Sequence, residues 1–175
     1  TSISAAYGIS CAQYLRKDPG CVVAVIGDGA LSGGLAYEGL NNAGRSKRNF
    51  IVVLNDNDMS ISKNVGALAR YLSSMRSSEG YVRTKKAVER RLNRTAVIGP
   101  SVAKVIKNSK SVVRDVLLQS ATIFEDFGFV YLGPVDGHNL GDLEEALLAA
   151  KEYHRPVFLH VHTVKGKGYA PAEEN

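Results

Sequence analysis

The sequence predicts an α/β domain: a mostly parallel sheet flanked by helices. Three observations carry that prediction. Residues 21–26 (Cys-Val-Val-Ala-Val-Ile) and 50–54 (Phe-Ile-Val-Val-Leu) are continuous apolar runs rich in β-branched side chains, the pattern of strands buried on both faces. Residues 35–43 between them read as a helix, so strand, helix and strand follow one another over roughly thirty residues as a βαβ unit with a right-handed crossover. The chain then repeats the alternation, with an amphipathic stretch at 143–153 followed by Val-Phe-Leu-His-Val-His at 157–162.

Taken in order, Ile3, Tyr7, Cys11, Tyr14 and Leu15 recur at helical spacing, and Pro19-Gly20 stops that helix. The strand at 21–26 ends in Gly27-Asp28-Gly29. The helix at 35–43 meets Gly44, a C-cap residue type. The strand at 50–54 runs into Asn55-Asp56-Asn57-Asp58, which reads as a turn. From 65 to 114 only helical patches are recognisable, broken by a Ser/Gly stretch at 73–80 and by Gly99-Pro100. Residues 116–127 read as a helix, 129–132 as a short strand and 133–138 as a loop. The final strand, 157–162, places His160 and His162 on one side.

At 175 residues, 45% hydrophobic and 22% charged, the chain has the size and composition of one globular domain. No apolar run approaches the ~18 residues of a membrane span. Cys11 and Cys21 are the only cysteines, which excludes a disulfide scaffold or a cysteine metal cluster and points to the cytoplasm. The chain opens on Thr1-Ser2-Ile3-Ser4, without a signal peptide, and reads as a piece of something longer. Its net charge of +5 is unevenly spread: 70–114 holds twelve Lys/Arg against two Asp/Glu, so the rest is net acidic. That stretch reads as a solvated face or as a site for some anion. It has only Tyr71 and Tyr81 as aromatics and no nucleic-acid-binding motif, so nucleic acid is not the expected partner. The segment 72–110 is expected to be a mobile basic insertion.

In open parallel sheets, ligands gather beyond the carboxyl ends of the strands. Gly27-Asp28-Gly29-Ala30-Leu31-Ser32-Gly33-Gly34 follows one strand end, and its glycines permit close backbone approach to a phosphate. A dinucleotide fingerprint fits poorly, because Ser32 stands where the third glycine belongs and the Asp28 carboxylate would repel a pyrophosphate. A divalent cation removes that conflict. Asn57 follows the neighbouring strand, 29 residues after Asp28, so one crossover brings a carboxylate and an amide oxygen to the same sheet edge. Mg²⁺ prefers hard oxygens in an octahedron. Asp28, Asn57, a nearby carbonyl such as that of Met59, two phosphate oxygens and a water make such a set.

Gly-Asp-Gly followed by this asparagine resembles the thiamine-diphosphate-binding motif. The wider wording resembles the 1-deoxy-D-xylulose-5-phosphate synthase family of the transketolase-like superfamily. It does so in Thr1-Ser2-Ile3-Ser4-Ala5-Ala6, Val25-Ile26-Gly27-Asp28-Gly29-Ala30-Leu31, Leu54-Asn55-Asp56-Asn57-Asp58-Met59, Gly133-Pro134-Val135-Asp136-Gly137-His138 and Lys165-Gly166-Lys167-Gly168-Tyr169. The resemblance implies a thiamine-diphosphate-binding, transketolase-like fold. It implies Asp28, Asn57 and the Met59 carbonyl as metal ligands, and Gly29, Ala30 and Tyr169 at the cofactor. It further implies condensation of pyruvate with D-glyceraldehyde 3-phosphate, with loss of CO₂, by a homodimeric cytoplasmic transferase. The product, 1-deoxy-D-xylulose 5-phosphate, would feed isoprenoid, thiamine and pyridoxal biosynthesis.

The family's Gly-His-Ser before Thr1 and its ring-activating glutamate in a later domain are not in this sequence, so the chain is expected to be an inactive N-terminal fragment that exposes apolar interface. Glu38, inside the crossover helix, reads as an exposed helix residue. His138, in the loop beside Asp136-Gly137, is the candidate catalytic residue; the alternative is that Asp136 and Gly137 simply shape a turn. His160 and His162 read as packing or hydrogen-bonding residues, lacking a third ligand in register for a metal. His154 reads as loop surface, and Lys165 and Lys167 as phosphate contacts or as plain solubilising charge.

Overall fold

The computed structural model describes residues 1–18, 20–57, 59, 66–77 and 122–173. Among these, four strands form one sheet: β1 (Val22–Gly27), β2 (Phe50–Asp56), β3 (Val130–Asp136) and β4 (Val157–His162), in the order β1-β2-β4-β3 with every pair parallel. The helices are α1 (Ser2–Leu15), α2 (Asp28–Leu31), α3 (Gly34–Ala43), α4 (Ala67–Ser77), α5 (Ile123–Asp126), α6 (Leu140–Glu152) and α7 (Ala170–Glu173). Residues 1–77 and 124–175 group as one compact unit. Of the expected basic insertion, 72–77 close helix α4 and 78–110 lie outside the described residues, as do 116–121 of the expected helix at 116–127.

The period of two along each strand sorts side chains to opposite faces. Val22, Ala24, Ile26, Phe50, Val52, Leu54, Tyr131 and Phe158 share one face, and all are buried. Phe124 of α5 stacks on Phe158 there with ring centroids 3.7 Å apart, and Tyr7 of α1 meets Phe50 edge-on at 6.0 Å. The other face carries Ile51, Val157, Leu159 and Val161, buried with Ala150 and packed by Leu143, Ala146 and Leu147 of α6. Helices therefore cover the sheet from both sides, which is the predicted α/β class.

The structure departs from the sequence expectations at particular places. β1 is buried on one face only: Val25 is 62% exposed, because β1 is an edge strand and α6 covers the far side of the sheet. β2 runs on through Asp56, so two residues read as turn are strand. β3 likewise continues through Gly133-Pro134-Val135-Asp136, which reads as loop, with an irregularity between Leu132 and Val135. Proline lacks an N–H for the ladder but is tolerated there because β3 is the other edge. A Cβ on Gly133 would strike the His160 carbonyl oxygen. α6 starts at Leu140 rather than 143, since the Asn139 side chain accepts from the Gly141 and Asp142 amides. Gly44 does end α3, but with right-handed backbone, φ −62 and ψ −25. Glycine is needed there because a Cβ would collide with the Phe127 carbonyl oxygen.

Candidate functional site

Because all four strands run parallel, their carboxyl ends lie along one edge, and the oxygen-bearing residues gather there. Asp28 follows β1, Asn57 follows β2, Gly137 and His138 follow β3, and Thr163 follows β4. The register pairs Gly27 with Asn55, so Asp28 comes level with Asp56 and Asn57 lies one residue beyond.

Asp28 is buried, and its Oδ1 accepts the Gly29 amide at 2.9 Å. Burial pushes its carboxyl above the usual range; the Gly29 N–H opposes that, and the Asp56 carboxylate adds to it by charge and by a shared hydrogen bond. Two carboxyls within hydrogen-bonding reach need a proton between them or a cation beside them.

Asp56 is held from its other side. His160 Nε2 lies 2.8 Å from Asp56 Oδ2, and His160 Nδ1 lies 2.8 Å from the Tyr131 hydroxyl. An ionised carboxylate only accepts, so Nε2 donates to it, and in the neutral ring the tyrosine hydroxyl donates to Nδ1. A row of polar side chains therefore crosses from β3 through β4 and β2 to the end of β1. It was missed in the sequence, where Asp56 reads as a turn residue. The available signal was its parity with Val52 and Leu54, matched by His160 with Phe158 on a strand. Thr163 extends the bracing: its Oγ1 donates to Asn55 Oδ1 at 2.7 Å and its amide to the Asp56 carbonyl at 2.9 Å.

Asn57 is half-buried, and its Oδ1 accepts the amide of exposed Met59 at 3.1 Å. Gly29 is half-buried and Ala30 exposed in the short helix α2, and α3 behind it has glycine, not a polar side chain, at its N-cap. The structure thus brings Asp28, Gly29, Ala30 and Asn57 to one edge. Tyr169 lies in the turn before α7 and is 65% exposed, with its amide donating to Gly166 O at 3.0 Å. Lys165 and Lys167 are exposed in that turn, His154 is exposed, and Glu38 is an exposed residue of α3.

His138 is exposed beyond β3. Its amide donates to Asp136 Oδ1 at 2.9 Å, and its Nε2 accepts the Val164 amide at 2.8 Å. Accepting through Nε2 puts the ring proton on Nδ1. The imidazole thereby ties the loop after β3 to the segment leading from β4 toward Tyr169.

Among the described residues no three His, Cys, Asp or Glu side chains are placed to hold a metal ion between them. The donors available are one carboxylate, one amide oxygen and backbone carbonyls, which suits Mg²⁺ shared with substrate phosphates better than a closed all-protein site. The set fits the diphosphate-bridging ion that the resemblance implies.

Comparison with known proteins gives a single answer. Residues 1–163 match the family model described as 1-deoxy-D-xylulose-5-phosphate synthase. The protein of that name from Clostridium acetobutylicum is 51% identical over 175 residues, covering 100% of this chain and 28% of the relative. Those from Heliobacterium modesticaldum and Desulforudis audaxviator are 50% and 51% identical over the whole chain, which spans 27% of each. Identity at that level over every residue, with the family model on the first 163, places the chain in the 1-deoxy-D-xylulose-5-phosphate synthase family.

Proposed function

We propose that this chain is the N-terminal, diphosphate-holding part of a thiamine-diphosphate-dependent enzyme that joins pyruvate and D-glyceraldehyde 3-phosphate, with release of CO₂, into 1-deoxy-D-xylulose 5-phosphate. The observation that carries the reading is the placement of Asp28 and Asn57 at adjacent strand ends, with a carboxylate braced beneath them. Asp28, the Asn57 amide oxygen and the Met59 carbonyl would hold Mg²⁺, and Gly29, Ala30 and Tyr169 would contact the cofactor. When bound, thiamine diphosphate supplies the nucleophilic carbon and the electron sink that decarboxylation needs.

The protein's own contribution is positional. Asp56 fixes the height of Asp28, and Asn57 is set by its turn to Met59. His138, anchored through Nε2, carries its ring proton on Nδ1 and is the catalytic candidate of this segment. Exposed apolar side chains, among them Ile9, Leu15 and Val25, support cover by further protein, in keeping with a homodimer and additional domains. No described helix is long and apolar enough to cross a membrane. The two free thiols, Cys11 and Cys21, support our placing the enzyme in the cytoplasm.

The test is calorimetric titration of Mg²⁺-thiamine diphosphate into the full-length enzyme and its Asp28→Ala variant, with product analysis from pyruvate and glyceraldehyde 3-phosphate. The variant should lose cofactor binding and product with its fold retained. Unchanged cofactor affinity would overturn the site, and a different product would overturn the reaction.

A further inference from the structure

At the amino edge of the sheet, α1 and the turn joining α3 to β2 enclose a cleft of about 300 Å³. It is walled by Tyr7 and Tyr14 of α1 and by the run Arg45-Ser46-Lys47-Arg48, with Asn42 at its side. Strands rise about 3.3 Å per residue, so the length of β2 separates this cleft from Asp28 and Asn57 by roughly 20 Å. It is therefore distinct from the site described above.

The cleft is prepared for negative charge. Arg48 lies over both tyrosine rings, its Cζ 4.9 Å from the Tyr14 centroid and 5.5 Å from that of Tyr7. Its Nη1 donates to the Tyr7 hydroxyl at 2.9 Å and to Cys11 Sγ at 3.2 Å. The guanidinium is thus fixed in orientation before any ligand arrives, which removes much of the ordering cost of binding. Arg48 Nε and Ser46 Oγ are nevertheless buried and without a hydrogen-bond partner. Buried polar atoms are nearly always satisfied, so two orphans just behind the wall of one cleft, in residues that line it, indicate a missing partner. The exposed Arg45 and Lys47 add two more cations, and none of the three bonds a carboxylate among the described residues.

We infer that this cleft is a second anion site, in which Arg48, Ser46, Arg45 and Lys47 take up the phosphate group of a small ligand. Phosphate supplies several acceptor oxygens and so matches donors converging from different residues. The volume sits at the lower end of small-molecule sites, which fits free phosphate or a small phosphate ester and not an extended polyanion. An occupant there would clamp the C-terminal half of α1 to the entry of β2, the strand that carries Asp56 and Asn57.

The experiment is equilibrium dialysis of radiolabelled inorganic phosphate, and in a parallel arm glycerol 3-phosphate, against the full-length enzyme. Mg²⁺-thiamine diphosphate is held at saturation so that the diphosphate position is taken. Saturable binding is expected, weakened about tenfold or more by the double variant Arg45→Gln/Lys47→Gln and by Arg48→Met. The double variant changes exposed side chains and should keep the parent's melting temperature, so its loss cannot be assigned to unfolding. Tighter binding of glycerol 3-phosphate identifies an ester as the occupant, and equal binding identifies free phosphate. Absence of saturable binding, or binding that the double variant leaves intact, overturns the inference. Because parent and variant share Asp28 and Asn57, the comparison reads the cleft even if the cofactor fails to bind.

Discussion

His160 Nε2 and Asp56 Oδ2 lie 2.8 Å apart with both side chains 0% exposed, joining residues 104 positions apart in the chain. A buried carboxylate depends on such a donor, because removing one partner strands a charge in a low-dielectric interior. His160→Ala is therefore expected to destabilise the protein by about 3 kcal/mol. Tyr131→Phe, which removes only a hydroxyl from the far side of the ring, is expected to cost about 1 kcal/mol. Urea denaturation of both variants and of the double variant checks this. The double variant should cost less than the sum, since the tyrosine contributes through the histidine.

Asp28 shows the opposite balance. Its carboxylate is buried beside another, so its charge weakens the fold, and on the proposed function that charge is kept for a ligand. Asp28→Asn keeps the shape and removes the charge. The metal-free protein is expected to gain about 1 kcal/mol, while Mg²⁺-dependent cofactor binding is lost. Thermal melting with and without Mg²⁺ separates the two effects: the variant should melt higher without the ion and respond to it less.

Two glycines of one helix should behave differently. A Cβ at Gly44 would overlap the Phe127 carbonyl oxygen, whereas a Cβ at Gly34 meets nothing within 4 Å. Gly44→Ala is expected to cost about 3 kcal/mol through forced backbone displacement, and Gly34→Ala to be neutral or slightly stabilising. Chemical denaturation of the pair makes the comparison, and similar costs for both would refute it.

Cys21 gives a pH signature. Burial pushes its thiol up, and the nearby Lys151 only partly opposes that. The folded state holds this proton more tightly than the unfolded chain. The resulting stability is present below the ordinary thiol pKa and declines as pH rises from there through the raised value. Alkylation of Cys21 should correspondingly be slow at neutral pH and accelerate only above the ordinary thiol range. Mass-spectrometric labelling across that range tests it, and Cys21→Ser should remove the thiol's part of the alkaline decline, leaving that of the partly buried Tyr37 hydroxyl.

The βαβ order, the parallel class and the placement of Asp28 and Asn57 at one sheet edge were legible in the residues, because each follows from local pattern: β-branched runs make strands, and a 29-residue spacing returns the chain to the same edge. The last strand matches the expected 157–162 for the same reason. Extents and partners were not legible. Whether Asp56 is turn or strand depends on β4 offering it a ladder and His160 offering it a donor, and whether Val25 is covered depends on β1 falling at the sheet edge. Gly44 and Gly128, whose backbones touch across 84 residues of chain, carry no local sign of each other. Local periodicity reports what one segment prefers. The polar row of Tyr131, His160, Asp56 and Asp28 needs four strands side by side in one order, and only tertiary packing supplies that order.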